Sequence, residues 1–208
     1  MSFDGIPIAA LDFYEDLEND NTKSFWTAHK TIYDESIRAP LEALAAQFEK
    51  QYGPAKLFRP YRDVRFAKDK TPYKTHQGVW FGETSLYLQV SAAGLRLAGG
   101  YWETSSAQVE RLRRAVADEV VGPQLERALA AARRKGLTVG GQQLTRVPSG
   151  YAKDHPRADL LRHKTLTAHV ELGCPDWLST AKAKAEIARA WRGITPLISW
   201  LDTHVGRD

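Results

Sequence analysis

Val79-Trp-Phe-Gly-Glu-Thr-Ser-Leu-Tyr-Leu-Gln-Val-Ser-Ala-Ala-Gly-Leu-Arg-Leu-Ala-Gly-Gly-Tyr101 decides the fold class. Leu86, Leu88 and Val90 fall on one face of an extended chain, with Tyr87 and Gln89 on the other, the period of a half-buried strand. Val79 to Phe81, Ser85 to Ser91 and Leu95 to Tyr101 read as three strands. Gly82-Glu-Thr and Ala92-Ala-Gly94 are the turns between them. Turns this short leave no room for a crossover helix, so the strands form an antiparallel meander.

Upstream the period changes to that of helices. Ile8, Leu11, Phe13, Tyr14 and Leu17 mark a first helix. Asn19 to Thr22 form a turn and supply an N-cap, and a second helix runs from Lys23 to about Ser36 on Phe25, Trp26, His29, Ile32 and Tyr33. Pro40 suits the first turn of a third helix, Leu41 to about Tyr52, which Gly53-Pro54 stops.

Downstream, Thr104-Ser105-Ser106 caps a helix to about Val120, with Val109, Leu112, Val116 and Val120 as its buried stripe. A further helix spans Gln124 to Lys135. Leu137 to Val147 is extended with a bend at Gly140-Gly141, and Pro156 to His163 is a short helix. Leu166 to Leu172 alternates as a half-buried strand. A last helix from about Thr180 to His204 is interrupted near Thr195-Pro196. Helices at both ends around a central, mainly antiparallel sheet predict one α+β domain over residues 3–204.

Composition bounds the function. The chain has 208 residues, 43% hydrophobic and 26% charged, with a formal charge of +4 and a sequence pI near 9.1. A balance this mild permits a nucleic-acid partner without demanding one. The only cysteine, Cys174, excludes an internal disulfide and the Cys clusters of structural zinc. No basic and apolar leader opens the chain and no apolar run approaches a bilayer's thickness, so a cytoplasmic protein without a membrane partner is expected. No His-Glu-x-x-His pattern points to a metal, and neither glycine pair matches a phosphate-binding loop, so no cofactor is expected.

The sharpest chemical signal lies between these blocks. From Arg59 to Lys74 stand Arg59, Arg62, Arg65, Lys68, Lys70 and Lys74, against only Asp63 and Asp69. Phe58, Tyr61, Phe66 and Tyr73 are interleaved. Arginine grips carboxylate or phosphate with a planar fork, and lysine adds a mobile point charge. With Leu57 to Phe66 extended, Arg59, Tyr61, Asp63 and Arg65 share one face and Arg62, Val64 and Phe66 the other. Arg62 and Arg65 then clamp the anion with Asp63 to orient them, Lys68, Lys70 and Lys74 close over the ligand on a loop stiffened by Thr71-Pro72, and Tyr73 and His76 stand at the rim. The competing reading is a lattice of ion pairs in which Asp63 and Asp69 neutralise their neighbours.

The order Asn19, Asn21, Phe25-Trp26, His29-Lys30 and Tyr33 is followed by Arg62-Asp-Val-Arg-Phe-Ala-Lys-Asp-Lys-Thr-Pro-Tyr-Lys74. Leu86 to Ser91, Leu97 to Tyr101, Leu144 to Pro148 and Leu160 to Lys164 come next. This series resembles the DUF2461 family, found mainly in bacteria, over nearly the whole chain. The family carries no assigned activity. The resemblance therefore implies the single-domain, cytoplasmic α+β reading and no catalytic residue.

Function is thus expected at Arg62, Asp63, Arg65, Lys68, Asp69, Lys70, Tyr73, Lys74 and His76, as a pocket for a phosphate- or carboxylate-bearing ligand. Whether a reaction follows stays open, with His76 the nearest candidate base and His163, His169, Glu103 and Asp69 others. Arg146, His163 and Lys164 form a second, weaker basic group. The alternatives are an interaction module that docks an acidic partner, and a surface for single-stranded nucleic acid.

Overall fold

The alternation at Leu86, Leu88 and Val90 becomes part of a six-stranded antiparallel sheet in the computed structural model, which describes residues 2–66 and 68–207. Its strands are β1 (Ala55–Leu57), β2 (His76–Phe81), β3 (Leu86–Ser91), β4 (Gly94–Tyr101), β5 (Thr138–Gly140) and β6 (Leu166–Gly173). Their order is β1-β2-β3-β4-β6-β5. In β3, Leu86, Leu88 and Val90 are buried, and Tyr87, Gln89 and Ser91 are half-buried. The register sets Val79 opposite Leu88 and Phe81 opposite Leu86, so both strands give their apolar faces to one core.

The chain gathers into two compact units, Met1–Leu97 with Glu171–Arg189 and Ala98–Val170 with Ala190–Asp208. In the first, α1 (Ala9–Asn19) buries Leu11, Phe13, Tyr14 and Leu17. A helix without a break then runs through α2 (Lys23–Ile32), a π-helical segment (Tyr33–Arg38) and α3 (Ala39–Tyr52). Thr22 caps it by accepting from the Phe25 N–H. The separate helix expected at Pro40 is therefore part of a longer one. In a regular α-helix the Pro40 ring would press on the Ser36 carbonyl. The wider π turn immediately before it relieves that clash. Ile37, Leu41, Leu44 and Phe48 bury the far side of this helix, each stabilising by about 1.5–3 kcal/mol relative to exposure.

In the second unit, Ser105 and Gln108 close a capping box on α4 (Ser106–Ala117). Helix α4 ends at Ala117, three residues short of the expected end, and Val120 is exposed. The Asp118 carboxylate stops the helix by accepting from the Val120 and Val121 N–H groups, both at 2.8 Å. Helix α5 (Gly122–Arg134) buries Leu125, Leu129 and Ala132. Of the extended run expected from Leu137, only Thr138–Gly140 pairs in the sheet, followed by a bridge between Gln143 and His163. Helix α6 (Ala158–Leu161) is short.

Helix α7 (Lys182–His204) runs through Pro196, where an interruption was expected. Trp191, Ile194, Leu197 and Ile198, on both sides of the proline, are buried, and the Thr195 hydroxyl donates to the Trp191 carbonyl at 3.1 Å. Packing outweighs the local defect. Two glycines make close passages at β4. A Cβ on Gly94 (φ +96°) would lie 2.2 Å from the Gly173 carbonyl carbon. One on Gly100 (φ +119°) would lie 2.5 Å from the Leu166 carbonyl oxygen.

Candidate functional site: a pinned basic loop beside a cleft

The strand predicted from Leu57 to Phe66 stops at Leu57, and the basic segment is a loop closed at its neck. Tyr61 and Tyr73 face each other in an isolated antiparallel bridge. Around it, the Arg62 N–H donates to the Pro72 carbonyl and the Lys74 N–H to the Pro60 carbonyl, both at 2.8 Å. Each flanking pair forms only one of its two bonds because the other donor would be a proline. The ladder cannot extend, and the chain between them is released as a loop. The alternating faces expected for Arg59 to Phe66 therefore do not exist.

The neck is held from below. The Asn21 side-chain amide stands in for a neighbouring strand, donating to the Tyr73 carbonyl at 3.0 Å and accepting from its N–H at 3.1 Å. The Tyr73 ring lies flat on Trp26, with centroids 4.3 Å apart and planes 6° from parallel. Tyr73 is 5% exposed. It is an anchor under the loop, whereas the sequence suggested a rim residue.

Above the neck the arginines do not converge. Arg62 pairs with Asp69 and donates to the Thr71 hydroxyl. The Thr71 N–H also donates to Asp69 at 2.9 Å. These bonds, the backbone one first, hold the Asp69 carboxyl down to about 2. Arg65 forks onto Asp63, with Nε to Oδ1 at 3.0 Å and Nη2 to Oδ2 at 2.7 Å, which lowers the Asp63 pKa. Asp63 thus orients Arg65 alone, and Asp69 performs that service for Arg62. Lys70 donates to the Val64 carbonyl at 2.9 Å and makes no ion pair among the described residues. Lys68 is exposed, with no ion pair among the described residues. Lys74 hangs 5.4 Å over the Phe58 ring, its pKa lowered by burial and then by Arg59. His76 lies on β2 opposite Ser91, half-buried. Burial first, then Lys74 and Arg96, push its pKa down, so the ring is neutral at pH 7.

The neck forms one side of a cleft of about 610 Å³ in the same unit. Leu57, Phe58, Arg59, Pro60 and Tyr61 form that wall. The long helix forms the other through Trp26, Lys30, Asp34, Arg38 and Glu42. These five recur at a strict four-residue spacing. On a regular α-helix such a row drifts by about 40° per step and leaves the groove. The π segment, with one extra residue in its turn, winds the row back, so all five reach one cleft. Lys30 pairs with Asp34, and Arg38 with Glu42 at 2.8 Å. The Trp26 indole N–H and Asp34 Oδ1 are buried without a hydrogen-bond partner among the described residues. Sequence reading passed over this cleft. The four-residue recurrence was its one visible signal, and it looked like an ordinary solvated helix face.

The weaker basic group resolves differently. His163 is buried, and the Thr165 carbonyl at 3.0 Å can only accept, so the proton sits on Nδ1. Nε2 then accepts from the Gln143 amide at 2.7 Å. Both nitrogens are used structurally. Lys164 lines a separate cleft of about 690 Å³ with Glu103, Glu110 and Arg113. Among the described residues no three His, Cys, Asp or Glu side chains gather as metal ligands, and no helix is long and apolar enough to cross a membrane.

The chain belongs to DUF2461, a family of conserved hypothetical proteins, whose profile matches residues 9–200. No curated protein and no solved structure matches it.

Proposed function

We propose that this protein binds a phosphate- or carboxylate-bearing molecule on the loop from Arg62 to Lys74. The observation that carries the reading is where the charge lies. Residues 59–74 hold six cations and two carboxylates, a net +4 equal to the formal charge of the entire chain. The rest of the sequence is balanced. Within the loop Asp63 and Asp69 offset Arg65 and Arg62, so Lys68, Lys70 and the neighbouring Arg59 supply the attraction, and the paired arginines keep donors for orientation. The anchors at Tyr73 fix the neck before a ligand arrives, which lowers the ordering cost of binding. The reading takes the protein as cytoplasmic, where an exposed free thiol such as Cys174 stays reduced.

Thermal shift with inorganic phosphate, phosphorylated sugars and dicarboxylates tests it, comparing wild type with a Lys68→Ala/Lys70→Ala double variant. A ligand at a hundred times its dissociation constant adds about 2.7 kcal/mol. Stabilisation of wild type and a loss of about tenfold or more in affinity in the double variant support the site. Equal stabilisation of both proteins, or none of either, removes it.

A second reading rests on Phe66, which is 96% exposed between Arg65 and Lys68. A small anion has no use for this ring. An acidic protein partner with an apolar pocket does. Phe66→Ser then abolishes partner capture and leaves small-anion binding intact. Tight, strongly salt-dependent binding of short oligonucleotides would instead favour stacking of Phe66 on bases.

A further inference from the structure

The cleft beside the neck carries an inference that shares only Arg59 with the loop. Four properties define what fits it. First, its helix wall alternates in sign, Lys30, Asp34, Arg38 and Glu42, so no single charge is favoured throughout. Second, it contains one unused donor and one unused acceptor. The Trp26 indole N–H is buried in a residue only 4% exposed, and Asp34 Oδ1 is buried although Oδ2 holds Lys30. Leaving such groups unpaired costs about 1–3 kcal/mol each, a cost that a ligand with the complementary pair removes. Third, Arg59 lines the cleft with no ion pair among the described residues. Fourth, Leu57, Phe58 and Pro60 make the facing wall apolar, and the rings of Tyr33 and Tyr61 also line the space. The Tyr33 hydroxyl is committed to Gln77 Oε1 at 2.7 Å, and its pKa is pushed up to about 12, so it stays a neutral phenol.

We propose that this cleft binds a free α-amino acid with an apolar side chain, its ammonium on Asp34 and its carboxylate between the Trp26 N–H and Arg59. The ammonium gains Asp34 Oδ1 and the faces of the tyrosine rings, which attract cations. The carboxylate satisfies the indole N–H and the free guanidinium. The side chain lies against Leu57, Phe58 and Pro60. Lys30, whose side chain is 52% exposed, swings outward to admit the ammonium. The π segment begins at Tyr33 and turns Arg38 and Glu42 back towards the cleft that Trp26, Lys30 and Asp34 also line.

The experiment is a heteronuclear NMR titration of the full chain with L-phenylalanine, L-leucine, phenethylamine and 3-phenylpropionate, on wild type, Asp34→Asn, Arg59→Gln and the Lys68→Ala/Lys70→Ala variant. Both amino acids give saturable shifts around Trp26 and Tyr61, and the two half-ligands bind about tenfold or more weaker. Asp34→Asn, at a half-buried position, and Arg59→Gln, at an exposed one, weaken L-phenylalanine by about tenfold each, and the loop variant leaves it unchanged. That last arm separates this site from the anion loop. No saturable shift at about 10 mM amino acid overturns the proposal, as does equal binding of a half-ligand, and the orphaned groups are then served by water.

Discussion

Arg157 is the single charged side chain among the described residues that is nearly sealed from solvent, at 9% exposure. Its Nε donates to the Val116 carbonyl at 2.6 Å, and Nη2 to those of Ala117 and Asp118 at 3.2 and 3.1 Å. The first two are the last carbonyls of α4, which have no partner within their own helix, and the Asp118 carbonyl also accepts from the Gly122 N–H at 3.0 Å. Gly122 leaves room for the guanidinium, since a Cβ there would lie 2.4 Å from Nε. Arg157→Met strands the Val116 and Ala117 carbonyls and is expected to cost about 2–4 kcal/mol, a fall in Tm of about 2–4 °C per kcal/mol. A melt within 1 °C of wild type would show that water replaces the guanidinium. None of this was legible in Pro156-Arg-Ala-Asp159, which resembles any exposed helix start, because its partner carbonyls lie some forty residues away. The same distance hid the Asn21 clamp on Tyr73. The histidines make a second prediction at this scale. Burial is the first cause lowering the pKa of both His76 and His163. Unfolded, each titrates near 6.5. Below that pH the unfolded chain binds more protons than the folded one, so stability falls as pH falls towards the folded values and is complete above about 7. Tm is therefore flat from pH 8 to 7 and declines from 6.5 to 5, with a shallower decline in His163→Gln. Asp63, Asp69 and Asp118, whose pKa values are lowered, contribute nothing to that window, since their stability is lost only below about 3.8. A Tm that rises on acidification would contradict neutral, buried imidazoles.

Elements were legible where one period governed them. The meander at Leu86–Ser91 and the stripe of α1 follow directly from alternation and from three- and four-residue spacing. Prolines misled in both directions. Pro40 and Pro196 suggested boundaries, yet the helices pass through them, one relieved by a π turn and the other held by packing on both sides. Pro60 stood inside an expected extended run and Pro72 was expected to stiffen the loop, yet the two prolines end the ladder and release the loop. The π segment is a geometric device that no propensity reveals, since its residues are ordinary helix residues. Its importance can be measured by deleting Ser36, which turns the segment into regular α-helix. Everything before it then rotates by about 100° against α3. Trp26 leaves Tyr73, and Asn21 leaves the neck. The expected loss is about 2–4 kcal/mol, from the two amide bonds and the aromatic stack together, with amino-acid binding abolished. Deleting Gln51 in the last turn of α3 is the control, and should cost far less. Equal melting of the two deletions would mean the row 26-30-34-38-42 has no structural consequence.

At the scale of the whole molecule the charge distribution was legible and its use was not. A sequence count concentrates the entire net charge in residues 59–74, but it treats Arg62 and Arg65 as free. The folded chain assigns each its own carboxylate, so the field above the loop comes from Lys68, Lys70 and Arg59. That difference sets the salt response. Charges as exposed as Lys68 and Lys70 are screened over about 8–10 Å at 0.10–0.15 M salt. Phosphate binding on the loop draws on this field and should weaken severalfold between about 0.05 and 0.5 M NaCl. An amino acid in the cleft carries no net charge, meets a row of alternating sign, and gains from partly buried groups that salt reaches poorly. Its affinity should stay within about twofold over the same range. Isothermal titration of phosphate and of L-phenylalanine at the two salt concentrations separates these cases on one sample. Parallel weakening of both ligands would place them on the same exposed cations and merge the two sites into one. Divergence would establish that the basic loop and the π-walled cleft recognise by different physics, long-range field in one and matched donor and acceptor in the other.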